Sequence, residues 1–171
     1  MIKPTLKYSI LCGVFLIGLF FISINFGSNP LLDFRHFIFD LGVFFLFIFF
    51  AGKEYKDFRN NGFLHFWQGI SIGLIVLIPA VILFSFVFYV IFETNVELIN
   101  GYKEGAKAFL LDRKDIFLNE FSQEQLDEQL AAVDDITTTQ LMFSTFWKKI
   151  GAGFLITPVV SIILRKKPKE L

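Results

Sequence analysis

Cysteine and charge are both scarce in this chain. Cys12 is its single cysteine, so no intramolecular disulfide can form. Leu11 precedes it and the apolar stretch follows it, which excludes a lipoprotein signal and leaves a buried small hydrophobe. Charged residues make up 19% of the 171, where a soluble domain carries about 25%. Sixteen Lys and Arg balance sixteen Asp and Glu, so no basic face for nucleic acid arises. HExxH, P-loop, GxSxG, CxxC and Gly-rich dinucleotide motifs are all missing, and no catalytic constellation emerges. The only histidines, His36 and His65, lie in separate segments, so neither a metal set of three or four ligands nor any cofactor is expected.

What is present is apolar. Hydrophobic residues account for 54% of the chain, and phenylalanine alone occurs 25 times. They gather in long runs with the charges between them, the pattern of a multi-span membrane protein. The run 8–26 holds 19 residues without a charge, about 28 Å of helix. Lys3 and Lys7 ahead of it raise the idea of a signal peptide, but no Ala-x-Ala-like site follows, so an uncleaved helix is expected. Ser28-Asn29-Pro30 reads as a turn. The second run, 36–52, is rich in Phe and interrupted by Asp40. The third, 63–92, would measure roughly 45 Å as one helix and carries Pro79, a kink site. The fourth, 141–164, is short unless Leu141, Met142, Phe143, Phe146 and Trp147 extend it, with Lys148 and Lys149 expected to snorkel to the head groups.

The stretch 93–140 is the one sizeable segment outside these runs, and from Glu93 to Leu141 eleven acids face four bases. Leu98, Tyr102, Ala106 and Phe109 recur at helical spacing, so the third span is expected to continue outward as an amphipathic helix. Ser122 with Gln125 forms a capping-box pattern before Leu126 and Leu130. The acids lack the spacing of a calcium loop and read as a solvated helix face. The expected fold is therefore all-α: a polytopic membrane protein, one membrane domain over 1–171, with four transmembrane helices and a helical extramembrane hairpin between helices 3 and 4. With the N-terminus inside, nine basic residues fall on the cytoplasmic side and seven on the other, four of those seven in the long loop. Short segments dominate the positive-inside rule, which predicts both termini in the cytoplasm of a bacterial inner membrane, although Lys148 and Lys149 argue the other way.

Three groups of residues invite a functional reading. Asp33, His36 and Asp40, at i, i+3 and i+7, fall on one helix face near the outer end of the second span. Intramembrane ionisable residues mark functional sites by default, and a His beside two carboxylates suits a proton relay. The simpler alternative is an interfacial cluster, with Asp40 hydrogen-bonded to His36 or to a neighbouring helix. On the cytoplasmic side, Lys53, Tyr55, Lys56, Arg59, His65 and Trp67 mix bases with aromatics, as a lipid head-group contact would, although an ordinary positive-inside anchor explains them more simply. Small residues recur at helix-packing spacing in Ser9 and Gly13, in Gly69 and Gly73, and in Gly153, Thr157 and Ser161. They suit close packing within one chain first and homo-oligomer contacts second.

The layout also has a family likeness. The basic start, Lys53-Glu54-Tyr55-Lys56-Asp57, Gly62-Phe63 leading into Gln68-Gly69 and Gly73, the acidic loop and the Lys/Arg-rich end together resemble the domain-of-unknown-function 4199 family. That resemblance implies a four-helix bacterial inner-membrane protein and brings no activity, cofactor or catalytic residue. The leading expectation is a non-enzymatic accessory or scaffolding subunit. Its partners would be the bilayer and a membrane protein met through the 93–140 loop or the small-residue faces. The runner-up is a small homo-oligomeric proton-coupled transporter or channel using Asp40. A lipid-modifying membrane enzyme comes third.

Overall fold

The computed structural model describes residues 2–26 and 29–166, with side chains from Thr5 onward. Ser28 of the expected turn, the Lys3 side chain, and Lys167 and Lys169 of the basic end lie outside the described residues. Among those described, the chain forms α1 (Ile2–Asn25), α2 (Phe34–Arg59), α3 (Phe66–Thr94), α4 (Val96–Asp112), α5 (Lys114–Glu120), α6 (Gln123–Asp134) and α7 (Thr138–Leu164). Helices α1, α2, α3 and α7 are each long and apolar enough to cross a membrane. Their apolar character on all sides suits this role, since in lipid a helix satisfies every backbone polar group internally.

The helices begin where polar side chains can cap them. Asp33 accepts from the Arg35 N–H at 2.9 Å to start α2. Thr137 and Gln140 form reciprocal bonds that start α7, and Ser122 with Gln125 does the same for α6, as the sequence pattern predicts. Two boundaries differ from the sequence expectation. Helix α2 runs on through Lys53–Arg59, because charge ends an apolar run without ending helical propensity. Helix α3 does not continue outward. It stops at Thr94, and the Asn95 side chain accepts from the Glu97 N–H at 3.1 Å to open a separate α4.

In the bundle α3 packs along both α7 and α1, while α2 packs against α7, α1 and α3. Leu16, Phe20, Phe44, Ile72, Leu77 and Phe84 are among the side chains that fill its centre. The outward faces keep large apolar residues exposed, such as Val14, Phe39, Phe86 and Leu155, as a bilayer-facing surface requires. Small residues set the closest approaches. A Cβ on Gly69 would lie 2.7 Å from Ser161 Oγ, one on Gly73 would meet Thr157, and one on Gly153 would meet Leu77. Gly13 lies against Ala80 and Leu83. Pro79 cannot donate to the Ile75 carbonyl one turn earlier, and the Ser9 hydroxyl of α1 donates to it instead at 2.6 Å.

The α4–α6 segment folds back on itself. Leu126 is fully buried and Ala106 nearly so. Lys103 donates to the Asp134 carbonyl at 2.6 Å, and Lys107 pairs with the Asp134 carboxylate. Leu32, in the α1–α2 connection, touches α4 at Gly105 and so ties the hairpin to the bundle.

Candidate functional site

One cavity of about 700 Å³ opens on the hairpin side of the bundle, within the usual size of small-ligand sites. Its walls come from the α1–α2 connection and from α1, α2, α3, α4 and α7. Asp33, His36 and Asp40 all line it. Asp33 is at the rim and occupied as the N-cap of α2. His36 and Asp40 follow on the buried face of α2, 7% and 5% exposed. Asp40 sits six residues past the helix start, roughly 9 Å in.

Across from Asp40 stands a residue that the sequence reading assigns elsewhere. Lys149, on α7, is 3% exposed, and its ammonium donates to Asp40 Oδ2 at 2.6 Å. The expected snorkelling of Lys149 to the head groups is therefore corrected. Helix α7 begins at Thr138, so Lys149 lies three turns inside it and faces α2; its neighbour Lys148 is the exposed one. The ammonium also lies 4.2 Å from the Phe84 ring centroid, so a carboxylate and an aromatic face share one cation. Taking both charges out of water is costly, and good geometry together with satisfied remaining lone pairs is what offsets that cost.

Those remaining lone pairs are not all satisfied. Asp40 Oδ1 and His36 Nε2 are buried without a hydrogen-bond partner, and they stand 3.8 Å apart, too far to bond each other. His36 Nδ1 is 3.2 Å from Ser23 Oγ on α1, which fixes the ring orientation. Thr145 lies on the same wall with its hydroxyl turned back to the Leu141 carbonyl at 2.8 Å. At the mouth, exposed Arg113 stacks over Phe109 at 4.2 Å, and Lys148 lines the same opening. The arrangement can hold a proton, pair a charge and enclose an apolar body. No cluster of three or more His, Cys, Asp or Glu that could hold a metal occurs among the described residues.

The second candidate group takes a different form. Lys53, Arg59, His65 and Trp67 are exposed at the opposite end of the bundle, with Tyr55 and Lys56 half-buried. The cleft that Tyr55 and Arg59 line there with Glu54, Thr5 and Tyr8 is too tight for a water molecule. Glu54 Oε2 accepts from Lys7 Nζ and from the Tyr8 hydroxyl, each at 2.6 Å, and latches α1 to α2. The Leu64 N–H donates to the Lys166 carbonyl, and the Lys166 N–H to the Leu64 carbonyl, each at 3.0 Å, which joins the end of α7 to the start of α3. The small residues Ser9, Gly13, Gly69, Gly73, Gly153, Thr157 and Ser161 all lie at contacts between helices of this one chain.

Lys149, Arg113 and Phe84 are among the cavity residues that sequence reasoning does not bring to this site. A partial signal exists: Asp40 is an intramembrane acid without a local cation, and Lys148 and Lys149 are the bases that the fourth run carries toward the same side.

A family model described as "Protein of unknown function (DUF4199)" matches residues 7–166. No curated protein and no solved structure matches the chain.

Proposed function

We propose, on the premise that the chain belongs to the DUF4199 family and takes its chemistry from its own residues, that it is a proton-coupled transporter of a small solute. The hairpin-side cavity is the solute site and Asp40 the proton carrier. The observation that carries this reading is the buried Asp40–Lys149 pair facing the cavity. Well-packed apolar residues often replace a buried ion pair with little loss of stability, so a pair kept at the wall of a cavity points to use beyond joining α2 to α7. A proton on Asp40 leaves Lys149 charged and unpaired, free to hold a solute; loss of the proton restores the pair and expels it. The titratable and charged groups around Asp40 are His36 and Asp33 with α2, Cys12 on α1, Lys148 and Lys149 on α7 and Arg113 after α4. Among cavity residues α3 contributes the uncharged Phe84.

The opposite end supports the same reading. Lys7 and Tyr8 on Glu54, and Gly69 and Gly73 against Ser161 and Thr157, close the bundle there while the hairpin side stands open. That is the asymmetry of one conformer in an alternating-access cycle. The basic-residue distribution supports a bacterial inner membrane with both termini cytoplasmic, which makes the cavity face the outside.

The accessory-subunit reading has an observation of its own: the hairpin keeps Leu111, Ile116 and Phe121 exposed, where a membrane-protein partner would cover them. The lipid-modifying reading has the weakest support, since the cleft beside Arg59 is closed. Proteoliposomes enclosing a pH dye, challenged with panels of organic anions, cations and neutral solutes, decide between them. The expected result is solute-driven proton movement that Asp40→Asn abolishes. Proton movement unchanged in Asp40→Asn, or none with any solute alongside a stoichiometric partner on purification, overturns the transporter.

A further inference from the structure

The cavity holds more positive than negative charge, and its negative charge is already committed. Of the two carboxylates that line it, Asp33 caps α2 and Asp40 holds Lys149. Against them stand Lys149 at the floor and Lys148 and Arg113 at the mouth. This local excess is notable because the loop that supplies Arg113 carries eleven acids against four bases. The cations are gathered where the cavity opens, and the acids lie elsewhere on the hairpin.

The uncharged wall is as selective as the charged one. Phe20, Phe37, Phe84 and Phe109 line it with Leu31, a surface suited to an aromatic or short alkyl body. His36 lines the same space, and its Nε2 is buried without a hydrogen-bond partner, so a ligand acceptor there would satisfy it in the tautomer whose Nδ1 accepts from Ser23. A cation as ligand would meet Arg113 and Lys148 on the way in and Lys149 on arrival. A neutral apolar ligand would leave His36 Nε2 and Asp40 Oδ1 unsatisfied.

We infer that the cavity binds an amphiphilic organic monoanion: its acid group goes to Lys149 and His36, and its aromatic or short alkyl body lies among the phenylalanines. This rests on the reading that the cavity is the solute site, and it names the solute's class. When Asp40 takes a proton, Lys149 exchanges the carboxylate for the ligand's acid group, so the charge of the floor is the same with and without the load. Proton and monoanion therefore enter together without net charge. Binding strengthens as pH falls. The same head-group chemistry could come from a dissolved organic acid or from an anionic phospholipid, and the volume of about 700 Å³ favours the dissolved molecule.

The test is calorimetric titration of the full-length protein in phosphatidylcholine nanodiscs, with empty nanodiscs as reference. Three probes share one ring system: naphthalene-2-sulfonate, 2-naphthylmethanol and 2-naphthyl-trimethylammonium. A sulfonate keeps its charge at every working pH, so any pH dependence belongs to the protein. Sulfonate binding that tightens toward low pH, and that weakens about tenfold or more in Arg113→Gln and in Asp40→Asn/Lys149→Gln, supports the inference. Arg113 is exposed, so that variant reads the charge even where a buried substitution fails to fold. Equal or tighter binding of the alcohol or the ammonium overturns the class of ligand while leaving a solute site in place. Binding of none of the three overturns the class and the site together. Repeating the titration with phosphatidylglycerol in the nanodisc separates the sources. Undiminished sulfonate binding supports a dissolved anion, and competition by the lipid overturns that in favour of a head group.

Discussion

Lys149 carries the account at the scale of the residue. Its ammonium is held by Asp40 and the Phe84 ring, and removing it leaves a buried carboxylate with no cation. Lys149→Met is expected to destabilise the bundle by about 3 kcal/mol or more. The double change Asp40→Leu/Lys149→Met should recover most of that loss, because two well-packed apolar side chains remove both desolvation penalties. Denaturant titration of the purified variants in one detergent measures both, and a single variant as stable as its parent would mean the pair stays hydrated. Ser9 is a smaller case of the same physics. Ser9→Ala strips the Ile75 carbonyl of its donor at Pro79 and is expected to cost about 1 kcal/mol in the same titration. Neither partnership is local in sequence. Asp40 and Lys149 lie 109 residues apart, and Ser9 and Ile75 lie 66 apart. The sequence exposes Asp40 as an unpaired intramembrane acid, but adjacent Lys148 and Lys149 near the start of a short apolar run look alike. Only the direction each takes on α7 separates the exposed lysine from the buried one.

Elements were more legible than partners. Four apolar runs give four long helices because hydropathy over some 20 residues is a cumulative signal that single substitutions hardly disturb. The capping box at Ser122 is equally plain, since it depends on four consecutive residues. The boundaries were less so. Lys53–Arg59 remains helical although its charges end the apolar run, and the α3–α4 break depends on one side chain, Asn95. The small-residue spacing identifies faces without identifying mates; the mates are fixed by the order of helices around the bundle. Gly153→Leu is expected to cost about 1–3 kcal/mol by driving a side chain into Leu77 and parting α7 from α3. Trimming the opposing side chain in Gly153→Leu/Leu77→Ala should return part of it. Equal stability of Gly153→Leu and the parent would contradict the close approach.

At the scale of the whole molecule the bundle is asymmetric. One end is latched by Glu54, by the Leu64–Lys166 bonds and by small residues in contact; the other holds an open cavity with a charge pair at its floor. No sequence pattern announces that cavity. It forms because the α1–α2 connection, α4 and α7 meet around residues that are far apart in the chain. The acidic hairpin, which in the sequence alone argues for a partner protein, here contributes Phe109 and Arg113 to the cavity wall. That chamber is the feature on which the proposed transport reading rests.

The most direct measurement is proton-coupled flux of naphthalene-2-sulfonate in proteoliposomes for four proteins: the parent, Asp40→Asn, Lys149→Gln and the double variant. If the two side chains act as one device, each single change abolishes coupled flux and the double change costs no more than either alone. Losses that multiply, or a full rate in either single variant, would contradict the pair as the coupling element.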